Sequence, residues 1–513
     1  MDSESSGKED QLVREIMRRD SIIDRLNSNI IDLNKLNEKL GLELMHLERN
    51  TSQSIIWNVN KKFDARVVRK IVPTGTNREK IYAYFLKSLK NFIINKENQY
   101  YQDNCESIET GNTCNNSRNI EGHSVSYYQA FFHSIIQNAT IKSPDYQNGK
   151  DFSEILGEEC TRLIAFYLPQ YHPIPENDVW WGKGFTDWMN VVKAVPQFIG
   201  HYQPHLPDEL GFYDLRHLEI LNRQIELARQ YGIFGFCFYY YWFDGKKLLE
   251  GPLNQFLAQH DIKFPFCICW ANENWTRRWD GHDHEILIAQ NYIPGYEHAF
   301  IEDLAVILSD SRYIRINGKP VVVVYCAHHL PDPKKTASIW RDHCKEIGIG
   351  DLFLIAAQTF GFHDPKPLGF DAAVEFPPHN ISSSKNIVHT VNPINPHFSG
   401  AILDYSTISH ETLCAHQSPY TLFKCVAPGW DNTARRINNP LIIHGSTPAL
   451  YKKWLIEVME HTRNTLNDDE QFVFINAWNE WAEGAYLEPD KKFGYSYLNA
   501  TAEALIDYRN KFR

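Results

Sequence analysis

The sequence predicts an α/β chain. Residues 159–513 are expected to form a (β/α)8 TIM barrel, preceded by an N-terminal coiled-coil helix and a mixed, mostly helical linker region. Three observations predict the barrel. Eight short apolar, β-branched or aromatic runs recur between residues 160 and 500. Helical spacings lie between most of them. The segment after the first run, YLPQYHPIPEN, lacks the Gly-rich phosphate loop that usually marks an open doubly wound sheet.

The elements follow in order. From Leu12 to Leu47 apolar positions alternate four and three apart, with Ile16, Ile23 and Ile30 at successive a sites and Asn37 at a later one. Ile at a with Leu at d favours a parallel two-stranded coil over residues 9–50, so the chain is expected to be a homo-oligomer through this segment. Residues 51–158 read as helix and linker, with an Asn/Ser/Thr/Gly-rich stretch at 101–122. The expected barrel strands are Leu163–Leu168, Ile233–Tyr240, Phe264–Cys269, Val321–Cys326, Leu352–Ala357, Ala372–Phe376, Phe423–Ala427 and Phe472–Ala477. The clearest helices are 216–231, 296–309, 335–347 and 448–465, and the sixth and seventh units are irregular.

Composition narrows the function classes. With 43% hydrophobic and 22% charged residues the 513-residue chain is globular. A net charge of −11 offers no basic footprint for nucleic acid. No apolar run approaches the ~20 residues of a membrane-spanning helix. The N-terminus MDSESSGKED does not read as a secretory signal. The ten Cys contain no CxxC pair. Cys237, Cys267, Cys269 and Cys326 sit in apolar runs and are expected to be buried thiols of a cytoplasmic protein.

A barrel of this kind carries its site at the C-terminal ends of its strands. The residues there are Tyr171, His172, Trp181, Asp187 and Trp188 after the first run; Tyr240 and Trp242 at the end of the second; and Trp270, Asn272, Glu273, Trp275 and Arg277 after the third. His328 and His329 follow the fourth, Trp430 the seventh, and Asn479 to Gly484 the eighth. Ten of the 13 Trp fall in or beside these segments. Trp and Tyr among Asn, Asp, Glu and His suit a carbohydrate, which offers C–H faces to stack and hydroxyls to bind. Glu480 and Glu483 carry the sharpest chemistry. Three apart on a helical turn they share one side, and like charges that close raise one pKa, giving an acid and a base. The spacing of His282 to Glu285 matches no zinc template, and no metal or cofactor is expected.

The segments IAFYLPQYHPIPENDVWWGKGFTDW, HYQPHLP, GFCFYYYWFDG, CWANENWTRRWDG and NAWNEWAEGAYLEP resemble the WbsX-type glycosyltransferases of bacterial surface-polysaccharide gene clusters. That family is similar to the endo-α-mannosidase glycoside hydrolases, which are (β/α)8 barrels with their catalytic pair in an NEWxEG motif. The resemblance implies that Glu480 is the base that activates the sugar 2-hydroxyl. It implies that Glu483 is the acid that protonates the departing oxygen and then serves as base for the acceptor. It also implies that Tyr167 and the polar NEW neighbours Asn479 and Trp481 line the site. Ala482 stands where the hydrolases usually have His, and Ala485-Tyr486 where they have Thr-Gln, which counts against hydrolase activity.

The expected function is sugar transfer in O-antigen or capsule assembly, cytoplasmic or peripheral to the inner membrane, from a carbohydrate donor to a lipid-linked glycan acceptor. The alternatives are an endo-acting glycoside hydrolase and a non-catalytic glycan-binding scaffold.

Overall fold

The computed structural model describes residues 131–138, 140–157, 161–277, 282–381, 385–414 and 418–512. All belong to one compact unit, Asn116–Arg513. The coiled coil expected over 9–50 and the linker up to residue 130 lie outside the described residues.

The eight expected runs are strands: β1 (Arg162–Tyr167), β2 (Ile233–Phe243), β3 (Phe266–Trp270), β4 (Lys319–Val324), β5 (Phe353–Gln358), β6 (Ala372–Glu375), β7 in two pieces (Thr421–Phe423 and Cys425–Val426) and β8 (Phe472–Ile475). Each pairs in parallel with its neighbours, and β1 pairs with both β2 and β8. The first piece of β7 pairs with β6 and the second with β8. The ring therefore closes through Lys424, whose carbonyl accepts from the Phe474 N–H at 2.9 Å. Runs such as KPVVVV and FCICW suit this position because a parallel strand here is covered on both faces.

Besides two short helices after β1, Pro175–Trp181 and Trp188–Lys193, the helices around the ring are α1 (Leu218–Gln230), α2 (Gly251–Ala258), α3 (Tyr296–Leu308), α4 (Pro333–Glu346), α5 (Tyr405–Cys414), α6 (Pro448–Thr465) and α7 (Ser496–Lys511). Two begin on a capping side chain followed by proline: Asp332 accepts from Lys335 N–H before α4, and Thr447 from Leu450 N–H before α6. The fifth unit departs from the pattern. Its segment holds Pro365 and Pro367 and ends at Gly369 with φ +76°, and it makes only a 3-10 turn, Lys366–Leu368. The irregular sixth and seventh units contain a small second sheet of Ala401–Asp404, Leu441–His444 and Trp430–Asp431.

Aromatic side chains fill the barrel on both sides of its wall. Inside, Phe166 of β1 meets Tyr239 of β2, Phe376 beyond β6 and Phe474 of β8 with ring centroids 5.0–5.8 Å apart. Outside, Trp270 of β3 stacks on Phe300 of α3 at 4.1 Å, and Trp340 of α4 packs behind it. Cys237, Cys267, Cys269, Cys326, Cys344 and Cys425 are buried thiols. Residues 140–157 lie against the barrel, with Ser143 N–H bonding Lys492 O and Lys150 N–H bonding the Tyr231 hydroxyl. Among the described residues no helix is long and apolar enough to cross a membrane.

Where β7 is interrupted, the Lys424 ammonium meets Glu375 of β6 at 2.6 Å, both side chains at most 5% exposed. Burial pushes the Glu375 carboxyl up, and Lys424 opposes that shift. Lys424→Met should leave an uncompensated buried carboxylate and cost about 3–5 kcal/mol in urea unfolding, while Lys424→Met with Glu375→Leu should recover most of it. Equal stability of the single and double variants would show that the pair does not hold the closure.

Candidate active site

The site is built on the chain that leaves β8. Asn479-Glu480 pairs antiparallel with Ala485-Tyr486, and Trp481–Glu483 makes a single 3-10 turn between them. The turn ends at Gly484, φ +59°, where a Cβ would meet Asp431 at 3.0 Å. Only glycine fits there without displacing backbone. Glu480 and Glu483 thus flank one tight turn. Asn479 fastens it to the end of β1, accepting from Leu168 N–H at 2.7 Å and donating to Leu168 O at 3.0 Å. The Tyr171 hydroxyl donates to Asn479 O at 2.8 Å and accepts from Trp481 N–H at 3.1 Å. Behind the turn Glu488 accepts from Trp481 Nε1, Gln224 Nε2 and the Tyr213 hydroxyl at 2.6–2.9 Å. Burial holds the Glu488 carboxyl at about 7 despite those donors.

One guanidinium gathers the charges. Arg435 binds Glu483 Oε1 at 2.6 Å, Asp187 Oδ2 at 2.7 Å and Glu480 Oε2 at 3.2 Å. Asp187 is fully buried and also accepts from Asn190 Nδ2 at 2.7 Å. Three carboxylates around one cation leave a net negative charge in a largely dry place, so the cluster retains a proton. It falls on Glu480, whose carboxyl is pushed up to about 8 by burial; Arg435 opposes the rise, and the charges of Glu483 and Asp187 add to it. Glu480 has 6% of its side chain exposed and Glu483 21%, so Glu483 is the more accessible member. Burial keeps the hydroxyls of Tyr239 and Tyr241 of β2 protonated, and the Glu480 carboxylate adds to that once it ionises. Tyr325 beyond β4 feels Glu273 and Glu483 together.

The structure gathers several of the expected residues at this cluster. Asp187 is a ligand of Arg435, and Tyr171 and Asn479 hold the turn. Trp188 packs on Tyr171 at 4.5 Å and on Trp481 at 5.5 Å. A second aromatic group adjoins it through Tyr241. Trp275 meets Tyr241 at 5.1 Å and Trp180 at 5.8 Å, and Arg277 lies over the Trp181 ring at 5.4 Å.

Other expected residues go elsewhere. Tyr240, Trp242 and Trp270 turn outward onto Phe300 of α3. The Tyr167 hydroxyl donates to Gln224 of α1 at 2.8 Å. In β1 and β2 the inward residues are Phe166, Tyr239 and Tyr241, one position away from those expected. A continuous apolar run carries no alternation from which to read that register. Asn272 is a buried brace, donating to Cys326 O at 2.9 Å and accepting from Cys326 N–H at 2.8 Å. His172 is buried near Asp214, and burial favours its neutral form. Trp430 faces a separate cavity. Arg435 escaped sequence reading because it lies beyond the PGWDNT segment in the irregular seventh unit. The signal for it was the need for a cation among three acids.

Among the described residues one set of three possible metal donors comes together. Cys326, His328 and His329, after β4, bring their sulfur and ring nitrogens within 4.8 Å of one another.

The glycosyltransferase WbsX family profile matches residues 163–501. Two curated relatives from strains of Xanthomonas campestris pv. campestris, both titled uncharacterized protein WxcX, are 48% identical over 343 residues. The match covers 67% of this chain and 49% of each relative, so the chain spans about half their length. Among solved structures, a glycoside hydrolase-like protein is 15% identical with TM-score 0.44, covering 74% of this chain and 99% of its own. An endo-alpha-mannosidase from Bacteroides thetaiotaomicron is 15% identical with TM-score 0.42, covering 68% and 98%.

The charge cluster makes stability depend on pH with a definite sign. The Glu480 carboxyl is higher in the folded chain than its unfolded value near 4.3, so the native state holds the extra proton between. Stability from this group is full below about pH 4.5 and is lost as pH rises through 8. Glu480→Gln should therefore lose less stability than the parent chain between pH 5 and pH 8.5 in thermal unfolding. Parallel profiles would contradict the proton on Glu480.

Proposed function

The chain belongs to the glycosyltransferase WbsX family, and we propose that it transfers a sugar in bacterial surface-polysaccharide assembly, O-antigen or capsule. Its acid/base pair in this reading is Glu480 and Glu483. The observation that carries the reading is the shared guanidinium. It keeps two adjacent carboxyls in one turn, one protonated and one charged, beside a shelf of Trp and Tyr. The acceptor is a growing, lipid-linked glycan, and transfer takes place at the cytoplasmic side of the inner membrane.

Glycosyl transfer needs a base that takes a hydroxyl proton and an acid that gives one to the departing oxygen. In the resting site the proton is on Glu480, the member that the family resemblance makes the base. Glu480 therefore passes its proton to Glu483 before chemistry, a move that leaves the summed charge of the pair facing their common partner Arg435 unchanged. Glu480 then draws the proton from the sugar 2-hydroxyl, whose oxygen closes on the anomeric carbon as the donor bond breaks. Glu483 protonates the leaving oxygen and next accepts the acceptor's hydroxyl proton as that oxygen attacks the anomeric carbon; the bond from that carbon to the 2-oxygen breaks, and Glu480 returns its proton to the 2-oxygen. Trp275, Trp181 and Tyr241 offer faces for the sugar rings, and the tyrosine hydroxyls of β2 stay available as donors.

Glu480→Gln and Glu483→Gln should each lower turnover by at least ~100-fold in a screen of sugar donors against glycan acceptors. A donor with a good leaving group should restore the donor-cleavage step in Glu483→Gln but not in Glu480→Gln. Unchanged turnover in both variants would remove the pair from the mechanism, and free sugar in place of an extended glycan would mark the enzyme as a hydrolase.

A further inference from the structure

Beside the carboxylate turn lies a cavity of about 200 Å³ that the chemistry above does not use. Its wall includes Trp430, Asp431 and Gly484, so it lies directly behind the residue that follows Glu483. The small second sheet shapes it: Trp430 pairs with Ile443, and Asp431 with Ile442. His201 and His205 of the HYQPHLP segment, together with Tyr486, complete the polar side.

The hydrogen bonds here leave two buried groups without partners. Asp431 is saturated, since His201 Nε2 and Gln203 Nε2 bond Oδ2 at 2.6 Å and Thr433 bonds Oδ1. The Tyr486 hydroxyl donates to Asp490 Oδ2 at 2.6 Å, so its oxygen must accept the His205 Nδ1–H at 2.7 Å. That bond occupies Nδ1 and leaves Nε2 outside it. Nε2 is buried without a hydrogen bond and lies 3.9 Å from Asp431 Oδ2. The Trp430 Nε1–H is likewise buried with no partner. The wall of the cavity thus holds two nitrogens without a hydrogen bond, each costly to leave unmade. A hydroxyl group is both donor and acceptor. Flat faces on Tyr202, Tyr497 and Phe493 line the same space.

We propose that this cavity is a second saccharide subsite, which holds a neutral sugar unit through hydroxyl contacts to Trp430 Nε1–H and His205 Nε2 and so anchors the glycan whose reacting unit lies at Glu480 and Glu483. The proposal rests on the carbohydrate reading of the carboxylate site and extends it by a separate pocket. A neutral hexose suits the cavity because its wall carries both signs of charge, on Asp431 and Lys492.

Ligand-observed saturation-transfer NMR on the full chain tests it, with methyl glycosides of mannose, glucose, galactose, rhamnose and N-acetylglucosamine as probes. At least one should bind, and Trp430→Phe and His205→Phe should each weaken it about tenfold, the usual scale of one lost hydrogen bond. Thermal unfolding of the same variants confirms that they are folded. Binding should survive Glu480→Gln with Glu483→Gln. Binding that is lost in that double variant but kept in Trp430→Phe would leave the carboxylate site standing and overturn the second subsite. Binding unaffected by any of these changes would also overturn it, and absence of binding by every probe would overturn both.

Discussion

The shared guanidinium of Arg435 is the interaction on which the site depends. It lies between Asp187 from the loop after β1, and Glu480 and Glu483 from the turn after β8. Those loops leave adjacent strands, because β1 and β8 pair directly at the seam where the ring begins and ends. Arg435 arrives from the seventh unit, the next neighbour. Closure of the barrel is therefore what brings three acids and one base to one point. An open sheet would carry β1 and β8 to opposite edges and separate them. Burial of such a cluster is costly, and its cost is met by retaining a proton, the property that acid/base chemistry uses.

Around this point the fold divides its aromatic side chains between two jobs. Those facing the helices, Trp242, Trp270 and Trp340 among them, fill the wide gap between a ring of strands and its outer layer. Those facing the mouth, Tyr239, Tyr241 and Trp275, remain partly accessible beside the acids. The second sheet, small as it is, has an equally specific role. It fixes Trp430 and Asp431 on one side of Gly484 and delivers Arg435 a few residues later, so a single loop serves both the charge cluster and the cavity next to it.

Much of this was legible in the sequence, for physical reasons. The strands were readable because a buried parallel strand must be a short apolar run, and the four longest-patterned helices because their apolar faces repeat at helical spacing. Glu480 and Glu483 stood out because an acid pair follows the last strand directly, at the end where a barrel carries its site, and the structure brings both onto Arg435. What was hidden follows from the same physics. The direction of Tyr239 against Tyr240 depends on register, which a run of FYYYWF does not encode. Arg435 depends on a charge balance with Asp187, 248 positions away, and with Glu480 and Glu483, 45 and 48 away, and Lys424 on an interruption in β7 that no local pattern announces. The fifth unit's missing helix was at least foreshadowed by its prolines.

The Arg435 cluster holds a proton on Glu480 at neutral pH. A carbon-13 NMR titration of the glutamate side-chain carboxyls measures this directly. One carboxyl resonance should titrate near pH 8 and vanish in Glu480→Gln. If every glutamate carboxyl in the folded chain titrated below pH 6, or the high-pH resonance persisted in the variant, the charge state on which this site is built would be wrong.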